Sequence, residues 1–342
     1  MKKQNIFLQI LIITCLFFTS MLYGQENFKK VSQSGMQYLK IGVDAAMVGR
    51  GEAGISAIKG VSAIFWNPAG LSYLNGKEIF STYNAWIADI SLNAIAAGIS
   101  FGKWGTLGLS VLWMDYGELY GTSVPTTVLE STELGYVDEG TFSPADIAIG
   151  LAYSRQISSQ FAVGGHVRYL YENYGDNVII TTNGIEKNVD NIIHAFSFDL
   201  GTLYYPGFKS LAFSMSIQNF SPDIKFQQEA FSPPLTFKLG LSMDLLDFAR
   251  ESSHNTLLFA VDAIHPRDYS ERLNIGIEYN YLGMFQLRGG YRMNYDEGTF
   301  TTGGGFLFPL NNSMQLRINI SYIFITSDRF SSPMQVTVGL EF

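Results

Sequence analysis

The chain has 342 residues and a formal net charge of −8; 47% of it is hydrophobic and 14% aromatic, while only 15% is charged. A soluble domain carries about 25% charged residues and a nucleic-acid surface needs a basic face, so both readings fit poorly. Thirty-four Gly, nineteen Tyr and twenty-six Phe favour β structure with tight turns.

The start reads as an export signal. Lys2 and Lys3 precede the apolar run IFLQILIITCLFF, and Gly24 before Gln25 supplies a small residue for cleavage. The run is shorter than the roughly 20 apolar residues of a spanning helix, so residues 1–24 are expected to be removed. Cys15, the single cysteine, lies inside the run. The mature chain then has no disulfide, no thiolate nucleophile and no cysteine metal ligand.

Residues 25–78 are rich in Gly and Ala and do not alternate. They lack the length and pattern for two more strands and are expected to form a small plug that begins on the periplasmic side. Within them, Asn67-Pro68-Ala69-Gly70 reads as a turn: Pro68 fixes φ, Asn67 can bond its own backbone, and Gly70 tolerates positive φ. Gly49-x-Gly51-x-x-Gly54 matches a dinucleotide fingerprint literally, but no βαβ pattern follows it, and close packing is the better reading.

From residue 79 onward the chain alternates, segment after segment. In LGLSVLW, Leu107, Leu109, Val111 and Trp113 share one face, with Gly108, Ser110 and Leu112 on the other. LAFSMSIQN sets Leu211, Phe213, Met215 and Ile217 against Ala212, Ser214, Ser216 and Gln218. MQLRINISYIF sets Leu316, Ile318 and Ile320 against Arg317, Asn319 and Ser321. A solvated sheet face would carry Lys, Glu and Thr; here the second face is small, as a crowded interior would be. Aromatic residues gather near segment ends, as at Trp104 and Trp113, Tyr169 and Tyr171, and Phe306 and Phe308, which suits two membrane interfaces.

Fourteen such segments begin near Ile79, Ser91, Trp104, Ala145, Gln160, Asn191, Lys209, Pro234, Asn255, Glu271, Gly283, Thr299, Asn312 and Ser332. Every second connection is short, from FGKWG to PLNNS; the long ones, such as YGDNVIITTNGIEKNV, all fall on the other side. This asymmetry matches an exported barrel with short periplasmic turns and long outer loops. The expected fold is all-β: a 14-stranded antiparallel transmembrane β-barrel over residues 79–342, with the N-terminal piece as a hatch inside it. The three long loops are the expected partner surface.

Charges on the non-lipid phase include Arg168, Glu172, Asp199, Lys238, Glu278, Arg288, Arg292 and Arg317. A basic residue at the lipid midplane would cost about 2–4 kcal/mol, so these groups are expected to form a polar network in the lumen. The four histidines show no metal spacing, and neither a cofactor nor an enzymatic constellation is expected. The final stripe MQVTVGLEF ends in an aromatic, so Phe342 is the expected insertion signal read by the barrel-assembly machinery. Outer-membrane lipid is the other expected partner; nucleic acid is not.

The stretch DAAMVGRGEAGISAIKGVSAIFWNPAGL resembles the N-terminal signature of the PorV/PorQ family of outer-membrane proteins, which is similar to the FadL-type transporters. The matching points are Asp44-Ala45-Ala46, then Gly49, Gly51 and Gly54, and then Asn67, Pro68, Ala69 and Gly70 after Phe65-Trp66. The resemblance implies a FadL-like barrel with an N-terminal hatch. It implies first a type IX secretion-associated or cargo-binding component that uses its outer loops, whose partners are secretion-system proteins or the C-terminal signals of exported proteins; the alternative is a FadL-like channel for uptake or export of a hydrophobic small molecule.

Overall fold

The structure is a computed structural model that describes residues 34–123, 135–175, 179–182, 185–188, 191–226, 229–248 and 254–342. The export signal, Cys15 and parts of the long connections lie outside the described residues.

In chain order the strands are β1 (Lys77–Ala85), β2 (Ser91–Ser100), β3 (Thr106–Asp115), β4 (Leu119–Ser123), β5 (Val137–Phe142), β6 (Ala145–Gln156), β7 (Phe161–Asn173), β8 (Ile179–Thr182), β9 (Ile185–Asn188) and β10 (Ile192–Tyr204). They continue as β11 (Ala212–Phe220), β12 (Ile224–Phe226), β13 (Glu229–Phe231), β14 (Thr236–Asp244), β15 (Thr256–Pro266), β16 (Arg272–Tyr281), β17 (Phe285–Met293), β18 (Phe300–Pro309), β19 (Gln315–Phe324) and β20 (Met334–Glu341). Fourteen of them close into one barrel, and β4–β5, β8–β9 and β12–β13 form two-stranded ribbons within the three long connections. All pairs in the barrel are antiparallel, and β1 closes the ring on β20 from Glu78↔Glu341 to Ala85↔Met334. Closure leaves no unpaired edge, which a lipid environment requires. The barrel begins at Lys77, two residues before the alternation becomes visible at residue 79.

The pleat sends the apolar stripe outward. Leu109 is 61% exposed, Phe213 42% and Ile320 47%, whereas Ser110, Ser214, Asn319 and Ser321 are buried. Around this exterior, aromatic rings pack across neighbouring strands near both ends: Phe285 on Phe306 at 5.0 Å toward one mouth, Tyr291 on Phe300 at 5.1 Å toward the other. A closed barrel with this exterior is a β-barrel of the bacterial outer membrane.

The N-terminal segment runs through the lumen. Ser34 bridges to Ser232 in the connection between β13 and β14, at the mouth that carries the long connections. Lys77 leaves at the opposite mouth, where its N–H and C=O both bond Phe342. The described segment therefore starts at the outward mouth, not on the periplasmic side as its sequence position suggests. Between these points lie a 3-10 turn (Gln37–Lys40), the short helix α1 (Ala45–Gly49) and two further 3-10 turns, Val61–Phe65 and Pro68–Tyr73.

Glycines on the inward face of the wall give this segment room. A Cβ on Gly290 would lie 2.0 Å from the Gly51 nitrogen, and one on Gly164 would lie 2.4 Å from Pro68. Where wall side chains remain, they satisfy the segment's irregular backbone. Asp262 accepts from the N–H of Gly54 (2.8 Å) and Ile55 (3.0 Å). Glu78 accepts from Val61 N–H at 2.7 Å, Thr337 accepts from Ala45 N–H at 2.8 Å, and Thr301 donates to the Gly49 carbonyl at 3.1 Å. Backbone outside regular structure is tolerated at membrane depth only with such partners.

Candidate functional site

The signature residues of the N-terminal segment fix its course. Asp44 caps α1 by accepting from Ala46 N–H at 3.0 Å. Gly49 and Gly51 lie against Gly303 and Gly290 of the wall, and Gly51 needs a φ of 72°. Gly54 has φ 113° and hands its N–H to Asp262. Asn67 is fully buried; its carboxamide oxygen accepts from Ala69 N–H, and its nitrogen donates to the carbonyls of Ile55 and Thr202. Asn67-Pro68-Ala69-Gly70 thus starts a 3-10 helix rather than an isolated turn, with Pro68 in its first position. Gly70 does not use positive φ; it is required because a Cβ there would lie 2.3 Å from the Ile58 carbonyl oxygen.

The inward charges fall into separate groups. Glu278 on β16 takes Arg50 of the segment at 2.7 Å and Arg288 of β17 at 2.5 Å. Arg292 holds Glu52 at 3.0 Å, and Arg317 holds the buried Glu78 near the inner mouth. These pairs tie segment to wall, or wall to wall. Arg168, Asp199 and His166 form another group on β7 and β10: Arg168 to Asp199 at 2.7 Å, and His166 Nδ1 to Asp199 at 3.2 Å. His166 Nε2 also bonds Ser110 at 2.9 Å. Ser110, His166 and Asp199 stand in the order of a hydrolase triad, but Ser110 is buried against the wall and none of the lining of the main cavity belongs to it. The chain reads as a structural relay. Phe342 is half exposed on the lipid side at the inner mouth.

An irregularity in the wall shapes the lumen above the segment. The β10–β11 pairing reaches Leu200↔Ile217 and resumes at Phe198↔Phe220, so Gln218 and Asn219 together oppose Asp199. This is a β-bulge, with Asn219 at φ 61°, a left-handed conformation that Asn tolerates better than most residues. Both side chains consequently face inward. Gln218 donates to the carbonyls of Phe65 (2.9 Å) and Trp66 (2.8 Å), and Asn219 accepts from Arg168 at 2.5 Å. Strict alternation would have put Asn219 in lipid.

Between the outward mouth and the segment lies a cavity of about 780 Å³. Met36, Tyr38, Val43, Phe65 and Trp66 of the segment line it from one side, and Trp86, Leu112, Met114 and Tyr116 from the wall. Its cationic lining differs in how it is compensated. Lys40, Arg168 and Arg292 have carboxylate partners. Lys238 has no carboxylate within ion-pair distance among the described residues: its Nζ lies 4.8 Å from the face of Trp66, with Glu52, Asp262 and Asp199 acting on it from further off, and Arg272 lies between the rings of Tyr269 and Tyr295 at 4.4 and 4.1 Å. On another arc, Asp146 and Glu172 face each other across the β6–β7 register; Tyr116 donates to the first and Tyr174 to the second at 2.9 Å. Burial and these neighbouring carboxylates push both phenols well above the usual tyrosine range, so they remain donors. Of these residues, Asp146 carried no signal in the sequence beyond its phase in an alternating run, and Tyr116 and Tyr174, each one residue past the end of a strand, carried none.

The closed 14-stranded antiparallel barrel is similar in fold to solved FadL-type outer-membrane proteins. The toluene transporter TodX of Pseudomonas putida superposes with a TM-score of 0.57 at 13% identity, over 88% of this chain and 99% of that one. The toluene transporter TbuX of Ralstonia pickettii gives 0.55 at 14% identity, over 87% and 97%. A FadL homologue of Pseudomonas aeruginosa gives 0.55 at 12% identity, over 88% and 98%. At such identities the likeness concerns the fold. No protein-family model matches the chain, and no curated protein matches it in sequence.

Proposed function

We propose that this barrel is a FadL-like channel for a hydrophobic small molecule, with the N-terminal segment as its hatch. The observation that carries the reading is the cavity of about 780 Å³ at the outward mouth, where apolar and aromatic side chains stand between charged groups of the wall and residues of the segment itself form the floor. Concave, mostly apolar spaces with a few placed polar groups are where small ligands bind. The solute enters from outside, rests against Met36, Tyr38 and Trp86, and passes when the segment shifts. Proteins of similar fold include a toluene transporter and a monoaromatic hydrocarbon channel, which favours the same reading. A type IX secretion role, with outer loops holding exported proteins, rests on the N-terminal signature alone, and the long connections that would carry it lie partly outside the described residues.

The test is uptake of radiolabelled toluene and of dodecane by outer-membrane vesicles with and without the protein. Faster uptake with the protein supports the channel. Equal uptake, together with co-purification of secretion-system proteins from detergent extracts, overturns it.

A further inference from the structure

The cavity carries ionisable groups of both signs that have no ion-pair partner among the described residues, on different arcs of one rim. Lys238 is the third residue of β14 and Asp146 the second of β6, while Glu172 is the last but one of β7; all three therefore sit at the outward ends of their strands. Lys238 is more than nine-tenths buried, lines the cavity and has no carboxylate within ion-pair distance among the described residues. A buried ammonium whose counter-charges, Glu52, Asp262 and Asp199, all stand beyond ion-pair distance is costly, and the Trp66 ring supplies only part of what water or a paired carboxylate would give.

Asp146 and Glu172 are buried as deeply and face each other directly. Like charges opposed across an antiparallel pair repel. One oxygen of each is held by a phenol, and no cation of a described residue reaches either. Tyr38, Tyr116 and Tyr174 surround the pair as cavity lining. Two carboxylates among tyrosine rings form a receptor for an organic ammonium, through hydrogen bonds and cation–π attraction. Lys238 does not neutralise them: β10 and β11 stand between β7 and β14 in the wall, three strand spacings of roughly 4.8 Å each.

We propose that the cavity takes a dipolar organic ligand with an apolar body, its ammonium group between Asp146 and Glu172 and its anionic group on Lys238. The proposal rests on the small-molecule reading above and narrows it: a neutral hydrocarbon fills the aromatic lining and leaves both charge centres unmet. The separation of the two centres selects a ligand whose charges lie at opposite ends of its body, such as an ω-amino acid or a short apolar peptide, over an α-amino acid.

The test uses the purified full-length barrel in nanodiscs. Trp66 and Trp86, both in the lining, report binding by their fluorescence, and calorimetry gives the affinity. The probes are ω-aminoalkanoic acids from hexanoic to dodecanoic, with the alkanoic acid, the alkylamine and the alkanol of each length. The expected result is an optimum length at which the amino acid binds about ten-fold or more tighter than its three analogues. Lys238→Met should remove the advantage over the amine, and Glu172→Gln the advantage over the acid. Heat-modifiable gel mobility checks that each variant is folded, and should either fail that check, Asp146→Asn and Lys238→Gln replace them. If the alkanol or the acid binds as tightly as the amino acid at every length, the dipolar site is wrong and the channel reading stands. If no probe of any charge binds, both readings fall.

Discussion

Replacing Asp262 with Ala should loosen the lumenal segment without opening the barrel wall. Asp262 is fully buried, and its Oδ2 is the shared acceptor for the N–H groups of Gly54 and Ile55 at 2.8 and 3.0 Å. Without it, two buried amides lose their partner, at about 1–3 kcal/mol each, or about 2–6 kcal/mol together. Its Oδ1 has no partner among the described residues, so truncation also relieves a desolvation cost and the net effect falls toward about 2 kcal/mol. That corresponds to about thirty-fold faster local opening. Amide hydrogen exchange of the protein in detergent micelles measures it: the Gly54 and Ile55 amides should accelerate by that factor, while those of the β19–β20 pair, distant from Asp262, stay slow. The same variant should show higher and noisier ion conductance in planar bilayers, since the segment occupies the lumen. Unchanged exchange at Gly54 and Ile55 would refute the assignment of Asp262 as the residue that holds this part of the segment.

Gly290→Ala places a Cβ 2.0 Å from the Gly51 nitrogen and 2.3 Å from the Arg50 carbonyl carbon, whereas Gly289→Ala, whose Cβ meets nothing closer than 3.8 Å, is its control. The first should lower the thermal unfolding midpoint and cut the yield of heat-modifiable barrel, at a cost of about 1–3 kcal/mol or more, and the second should do neither; equal behaviour of the two would remove the close-packing argument for the wall glycines. Deleting Phe342, whose backbone closes the seam on Lys77 through bonds of 2.7 and 2.8 Å, should reduce assembly in cells. Pulse-labelled membrane fractions should show slower appearance of folded barrel, and a rate equal to that of the parent would end its role as an insertion signal.

The fold was legible because a lipid-facing barrel imposes period-2 patterning on its strands and puts the longest connections, those after β3, β7 and β11, on one side. Each of the fourteen starting points read from the alternation lies within three residues of a barrel strand, as with Lys209 against Ala212 and Asn312 against Gln315. Much less of the site was legible. Asn219 enters the lumen only because a bulge shifts its phase, and no residue of that stretch announces a bulge. Glu78 looks like the end of the irregular segment but lies on β1, where it serves both Val61 and Arg317. The cavity joins residues as far apart in sequence as Met36 and Phe330. Only closure of the ring brings them together, and alternation records which way a side chain points, not what stands across the lumen from it. The direction of the N-terminal segment was hidden for a similar reason: composition shows that it fills space, not from which mouth it starts.

That direction bears on how the molecule is made. With Ser34 at one opening and Lys77 at the other, the finished protein is a ring around its own thread. The ring shuts where β1 meets β20, the first and last barrel strands of the chain. Encirclement must therefore be complete before that final zippering, or the thread must afterwards be drawn through a finished hoop. Either way, any passenger fused ahead of Ser34 would emerge at the outer opening and compete with whatever enters there.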